Sequence, residues 1–186
     1  MLGYWRKPEE TRRVLEPDGW LHTGDQAQID CGRLKIKGRI KDIIVTSTGE
    51  KISPADLEQA ITQDLLFEQA MVIGERHPFI VALAVLNSEE VEREAKALGL
   101  AGEMRDMLAS DEFRAFALKR IERAVAHFPD YATPRKVWLT VDPWTVGAGL
   151  MTPTLKLKRL AIERAFAEEI ADLYAKSETN ARHDER

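Results

Sequence analysis

At 186 residues the chain has room for one domain, or for one domain with a fragment of another. Its 44% hydrophobic and 31% charged residues exclude a disordered chain, and no apolar run approaches the roughly 18 residues of a membrane span. A net charge of −4 leaves no basic excess for a general nucleic-acid surface, and the single cysteine, Cys31, excludes an intrachain disulfide and fits a reducing, cytoplasmic setting.

The first residues, MLGYW, are apolar and aromatic where chain starts are usually polar, so the sequence reads as one that begins inside a larger protein. They lack the apolar core of a signal peptide. Residues 8–15 read as a short helix with Pro8 first and Glu9 and Glu10 in its first turn. Asp18-Gly19 marks a turn, and 20–30 with 33–38 reads as a hairpin. A domain boundary is expected at 38–41: the strands before it need a partner, and a self-contained α+β pattern follows.

Residues 43–45 form a short β-branched run, a buried strand, and 46–51 a polar turn around Gly49. Ser53 caps a helix over 53–65, with Pro54 first, Asp56 at the acidic capping position, and Leu57, Ala60, Ile61 and Leu65 on one face. Strands 69–74 and 79–86 flank a hairpin turn. Helices are expected over 88–98, capped by Ser88 and ended by Gly99, and over 110–127, capped by Ser110. In the second, Phe113, Phe116, Ala117, Ile121, Ala124 and Val125 make a stripe that is read as core rather than as an acyl-binding surface. A strand over 136–141, a loop with Trp144, a helix over 157–174 and a charged, mobile tail over 175–186 complete the pattern.

Three polar stretches stand out: TGD at 23–25, GRIKDIIVTSTGEKISPADLE at 38–58 and TPTLKLKR at 152–159. Taken singly they are ordinary. Asp25 would be a turn aspartate, Arg39 and Lys41 the solvated charges of a hairpin, and Lys156 a surface lysine at a helix start. The histidines 22, 77, 127 and 183 have no ligand or triad spacing, and no metal site is visible. Cys31 has no histidine near it and reads as an inert thiol.

Together with GYWRKPEET and DGWLHTGD, and in this order, the three stretches resemble the carboxy-terminal portion of adenylate-forming enzymes. This group comprises acyl-CoA synthetases, luciferases and peptide-synthetase adenylation domains. The form TPTLKLKR, where many members have a Ser-Gly-Lys version, and the long helical segment 88–131 resemble the long-chain fatty acyl-CoA synthetase branch. The resemblance covers nearly all of 1–173. It implies an α+β fold: a small mobile carboxy-terminal domain with an antiparallel-rich sheet flanked by helices, preceded by strands of a larger amino-terminal domain. Residues 1–38 would be the last segment of that large AMP-binding domain, 39–41 the hinge, 42–174 the mobile domain and 175–186 the tail. The family's Ser/Thr/Gly-rich phosphate loop is not in this sequence, so the chain is expected to be inactive alone.

The resemblance also implies roles. Asp25 would accept hydrogen bonds from the ribose hydroxyls of ATP or AMP. Arg39 would reach the ribose and the neighbouring phosphate, its planar fork serving two acceptors. Lys41 would be the hinge about which the domain turns between half-reactions. Lys156 would be the catalytic lysine, bridging carboxylate and α-phosphate, with Lys158 and Arg159 as solvated or phosphate-guiding charges. Gly49 would let coenzyme A pass close to the backbone, and Lys51 would pair with a coenzyme A phosphate. Mg²⁺ ligands would lie in the missing domain. The implied whole is a long-chain fatty acid–CoA ligase, cytoplasmic or membrane-associated. Its partners would be fatty acid, ATP, coenzyme A and the missing domain, with peripheral membrane contact and a swapped or dimeric contact through 1–38 as further expectations. The alternatives are a fatty acyl-AMP ligase and a non-catalytic binding module.

Overall fold

A computed structural model describes residues 1–181. It divides into two compact units, Met1–Ile43 and the residues from Ile44 onward.

The first unit holds α1 (Pro8–Val14), started by Pro8 and laced by the exposed pairs Glu9–Arg12 and Glu10–Arg13. Strands β1 (Asp25–Asp30) and β2 (Arg33–Arg39) form an antiparallel hairpin. Its two-residue turn is Cys31-Gly32, with φ 47 and 75, the positive pair that suits the right-handed twist of a tight hairpin. Residues 20–24, expected as strand, are instead irregular apart from a Leu15–Leu21 bridge. β2 runs on to Arg39 because Gly38 and Arg39 still pair with Gln26 and Asp25. The cross-strand pairs Ala27–Ile36 and Ile29–Leu34 share a face, and Ile29 is 74% exposed. A two-stranded hairpin with an uncovered apolar face is at best marginally stable by itself.

The second unit begins with the short pair β3 (Ile44–Val45) and β4 (Lys51–Ile52), followed by α2 (Pro54–Ile61). Its centre is a sheet of β5 (Phe67–Ile73), β6 (Val81–Leu86) and β7 (Lys136–Thr140), in that order. β5 and β6 are antiparallel, β6 and β7 parallel. The long connection to β7 carries α3 (Ser88–Ala97), α4 (Met104–Ala109) and α5 (Asp111–Ala124), as a parallel crossover requires. Two helices, α6 (Arg159–Ala165) and α7 (Ala167–Ala181), follow.

All of β6, VALAVL, is buried, because both sheet faces are covered. Ala82, Ala84 and Leu86 join Ala70, Val72, Val137 and Leu139 against Leu57, Ile61, Val91, Phe113 and Ile121. Val81, Leu83 and Val85 join Met71 and Ile73 against Trp144, Met151 and Ile162. A strand buried on both faces reads as a continuous apolar run, which is why it was legible. The α5 stripe is core as expected, with Phe113, Ala117, Ile121 and Val125 fully buried.

Several local expectations are corrected. α2 ends at Ile61, so Leu65 is 75% exposed and Leu66 fills the core instead. Asp64 turns the chain there by accepting the Leu66 N–H at 2.9 Å. Asn87, not Ser88, caps α3, accepting the Glu90 N–H at 3.1 Å. The short α4 was not foreseen. The last helix breaks at Phe166, whose ring packs 4.7 Å from Trp138, and then continues past Tyr174 to Ala181. Thus 175–181 of the expected tail is helical. The rest, with His183, lies outside the described residues. No described helix is long and apolar enough to cross a membrane.

Three elements are tied by Arg120 of α5. Its guanidinium donates to both Asp64 carboxylate oxygens, at 2.8 and 2.7 Å, and to Glu94 of α3 at 3.0 Å. These contacts raise the Arg120 pKa, chiefly through the Asp64 bond, while that of Glu94 is lowered first by its hydrogen bond from Arg93 and further by Arg120.

Gly74 ends β5 against core side chains: a Cβ there would lie 2.2 Å from Ile80 Cδ1 and 3.4 Å from Ile44 Cγ2. Gly74→Ala therefore overpacks the junction of sheet and β3. Urea unfolding should show a loss of about 1–3 kcal/mol.

Candidate active-site residues

In the first unit, Asp25 and Arg39 are directly opposed across β1 and β2. The Arg39 Nε lies 3.2 Å from Asp25 Oδ1, and Asp25 is the less exposed of the two, at 33% against 62%. The Thr23 hydroxyl accepts the Asp25 N–H at 3.2 Å, and the Thr23 carbonyl accepts from Arg39 at 3.4 Å. TGD thus folds back on the end of β2. A carboxylate and a guanidinium are presented side by side, able to meet a diol and an anion. Lys41 is exposed in the 3-10 turn Ile40–Asp42, which closely precedes the boundary between the units.

In the second unit, Gly49 has φ 86 and donates its N–H to the Thr46 carbonyl at 3.0 Å, closing the turn between β3 and β4. Buried Thr46 staples this loop. Its N–H reaches the Glu50 carbonyl at 3.0 Å, and its hydroxyl accepts the Glu50 N–H at 3.1 Å and pairs with Thr48 at 2.8 Å. The hairpin turn between β5 and β6 supports the loop: the His77 carbonyl accepts the Ser47 N–H at 3.0 Å, and Glu75 accepts the Val45 N–H at 2.8 Å. Lys51 points out of β4 into solvent.

Lys156 lies in a tight turn before α6, not at the helix start. Met151 and Leu157 bridge its ends. The Thr152 N–H donates to the Lys156 carbonyl at 2.8 Å, and the Lys156 N–H returns to the Thr152 hydroxyl at 3.0 Å. Leu155 has φ 59, a left-handed conformation that favours glycine. Lys156 itself is exposed.

The turn hangs on the second face of the sheet, where Met151 is buried and Leu157 half-buried. Gln69 of β5 holds the preceding loop. Its amide accepts the Trp144 N–H at 2.7 Å and donates to the Trp144 carbonyl at 3.1 Å. Arg159 is not a solvated or phosphate-guiding charge. It donates to Glu58 of α2 at 2.6 Å and to the Val72 carbonyl at 2.5 Å, with its side chain only 22% exposed. Lys158 is exposed.

Two clefts of about 320 and 780 Å³ run beside β7 and share Arg114, Trp138 and Glu169. Neither is lined by Lys156, Gly49 or Lys51. Of the histidines, His22 pairs with Glu16 and His127 is exposed, and no described group of three potential ligands could hold a metal.

Residues 41–178 match the family model described as AMP-binding enzyme C-terminal domain. The chain is 36% identical over 183 residues to long-chain-fatty-acid–CoA ligase FadD15 of Mycobacterium tuberculosis, a match covering 94% of this chain and 29% of that protein. It is 30% identical over 186 residues to the chloroplastic long-chain-fatty-acid–acyl-carrier-protein ligase AEE15 of Arabidopsis thaliana, covering 94% and 24%. Among solved structures, the adenylation domain of a carboxylate reductase from Mycobacterium chelonae aligns with a TM-score of 0.78 at 27% identity, covering 94% of this chain and 26% of that one. The fold is thus the α+β fold of the carboxy-terminal portion of adenylate-forming enzymes. The chain belongs to the AMP-binding enzyme C-terminal domain family. It spans about a quarter of the length of these relatives.

His77, whose carbonyl supports the Gly49 loop, also carries a titrating ring. His77 stacks on Tyr174 with ring centroids 3.6 Å apart, and partial burial lowers its pKa from 6.5. The Tyr174 hydroxyl donates to the Ile73 and Phe79 carbonyls, and burial pushes its pKa upward, so it stays neutral. The folded state therefore disfavours His77 protonation. Its contribution is complete above pH 6.5 and is lost as pH falls from there through the lowered folded value. Thermal melts across this window should show a loss in the wild type that is smaller in His77→Phe.

Proposed function

We propose that this chain is the carboxy-terminal part of an ATP-dependent ligase that makes fatty acyl thioesters through an acyl-adenylate. The supporting observation is Lys156, exposed on a stapled turn of a domain that matches the AMP-binding enzyme C-terminal domain family. In the first half-reaction a carboxylate oxygen of the fatty acid attacks the α-phosphorus of ATP. The bond to pyrophosphate breaks, and pyrophosphate leaves with the electron pair. Two anions meet at that point, and the Lys156 ammonium bridges them as a point charge. Asp25 takes the ribose hydroxyls and Arg39 the neighbouring phosphate. Mg²⁺ accompanies the nucleotide phosphates.

In the second half-reaction a thiol sulfur attacks the acyl carbonyl. The bond to AMP breaks, AMP leaves as the anion, and the thiol proton passes to solvent. Gly49, left-handed and with open space where a Cβ would project, lets the thiol-bearing arm run along the backbone, with Lys51 beside it. Lys41 is the pivot between the two half-reactions. The acceptor is coenzyme A in this reading. A carrier-protein thiol is the second reading, favoured by the name of the Arabidopsis relative.

The test uses the full-length protein with ATP, Mg²⁺ and a ladder of fatty acids, read by mass spectrometry with and without coenzyme A. Thioester that forms only with coenzyme A is the expected result. Acyl-AMP that accumulates regardless of coenzyme A would mean an adenylate ligase that stops there or serves a carrier. Absence of both products from every acid would refute the reading. In the same protein, Asp25→Ala should raise KM for ATP by about 10- to 100-fold, from the roughly 1.5–3 kcal/mol of hydrogen bonds to a charged group.

A further inference from the structure

We propose that Glu58 and Arg159 are a positioning pair for Lys156, an inference that rests on the role given to Lys156 above. The hydrogen bonds of the Lys156 turn run between Thr152, Thr154, Leu155 and Lys156 themselves. They fix the shape of the turn but not its direction from the sheet. Met151 and Leu157 anchor it through apolar contacts, and at its amino-terminal end Gln69 Nε2 of β5 donates to Met151 Sδ at 3.3 Å. On the carboxy-terminal side, the directional link to the sheet comes three residues after Lys156.

Arg159 is the first residue of α6. Its Nη1 donates to Glu58 Oε1 at 2.6 Å and its Nη2 to the Val72 carbonyl at 2.5 Å. The same Glu58 oxygen accepts the Val72 N–H at 2.9 Å. One residue of β5, Val72, is therefore gripped through both its N–H and its carbonyl by a pair drawn from α2 and α6. Both side chains are largely buried, at 15% and 22% exposure, so solvent screens the pair little.

Two features say that the pair is built to hold a geometry. The guanidinium uses its planar fork, two donors on two acceptors fixed in different elements, which a lysine cannot reproduce. A cation at a helix start is opposed by the helix dipole, and the first turn of α6 has no acid of its own. Glu58, from another helix, supplies that charge. The arrangement holds α6, and the turn that leads into it, against the middle of β5. The Gly49 loop has separate supports in Glu75 and His77, so the pair should serve the Lys156 step without serving the other.

The experiment separates the half-reactions in the full-length protein. Acyl-adenylate formation is followed by ATP–pyrophosphate exchange, and thioester formation by supplying synthetic acyl-adenylate with coenzyme A. Arg159→Ala should lower the exchange rate on the order of 10- to 100-fold, the effect of misplacing a reacting group by about 1 Å. Its thioester rate should stay close to wild type. Arg159→Lys should retain part of the lost rate, and Glu58→Gln, which keeps an acceptor for Val72 and Arg159 but not the charge, should lose less than Arg159→Ala. Should Arg159→Ala not fold, Arg159→Lys carries the same comparison, with melting curves as the fold control. Equal loss in both half-reactions, or no loss in either, would overturn the pair as a positioning device. A wild-type protein that performs no exchange with any acid, yet makes thioester from supplied adenylate, would overturn the Lys156 role and this inference with it.

Discussion

The second unit depends on one constraint: β6 must be buried on both faces. A six-residue strand without a single polar side chain has no solvent face to offer. Helices or loops must therefore cover each side. The α2, α3 and α5 layer covers one side through Leu57, Val91 and Phe113. The Trp144 loop and α6 cover the other through Trp144 and Ile162. The Lys156 turn belongs to this second layer, so its position follows from how the sheet is closed.

Polar contacts then set the directions that apolar packing leaves open. Gln69 follows an irregularity in β5 and turns its amide onto the Trp144 backbone. Glu58 and Arg159 clasp Val72, and Arg120 gathers Asp64 and Glu94 on the opposite layer. Each joins elements far apart in sequence. A hydrogen bond in a half-buried site favours one angle and one distance, whereas leucines and valines accept several arrangements. The division of labour is plain: apolar burial supplies the unit, and a few charged or amide side chains supply its registration.

This division also explains what could be read from the chain alone. Strands β5 and β6, the α5 stripe and the Ser110 cap were legible because each is a local pattern of apolar period or capping chemistry. The motifs at Asp25, Arg39, Gly49 and Lys156 stood out only through the family resemblance; by themselves each looked ordinary, and their roles belong to the proposed function. Leu65 misled because the helical period continues one turn beyond Ile61, where the helix ends and the Asp64 turn follows. Arg159 misled because its partner Glu58 lies 101 residues away, and no local signal marks it. The same holds for Gln69, 75 residues from Trp144. Thr46 carried only a weak signal, a hydroxyl beside a glycine turn, and its staple became visible with the backbone in place.

The central claim is that the Lys156 ammonium acts in forming the acyl-adenylate and not in passing the acyl group on. The direct measurement is the rate of each half-reaction in Lys156→Ala within the full-length protein, with synthetic acyl-adenylate supplied for the second. The account predicts that adenylate formation falls on the order of 10²–10³-fold, the usual loss for a charge-stabilising donor, while thioester formation from supplied adenylate persists. Unchanged adenylate formation in Lys156→Ala would contradict it.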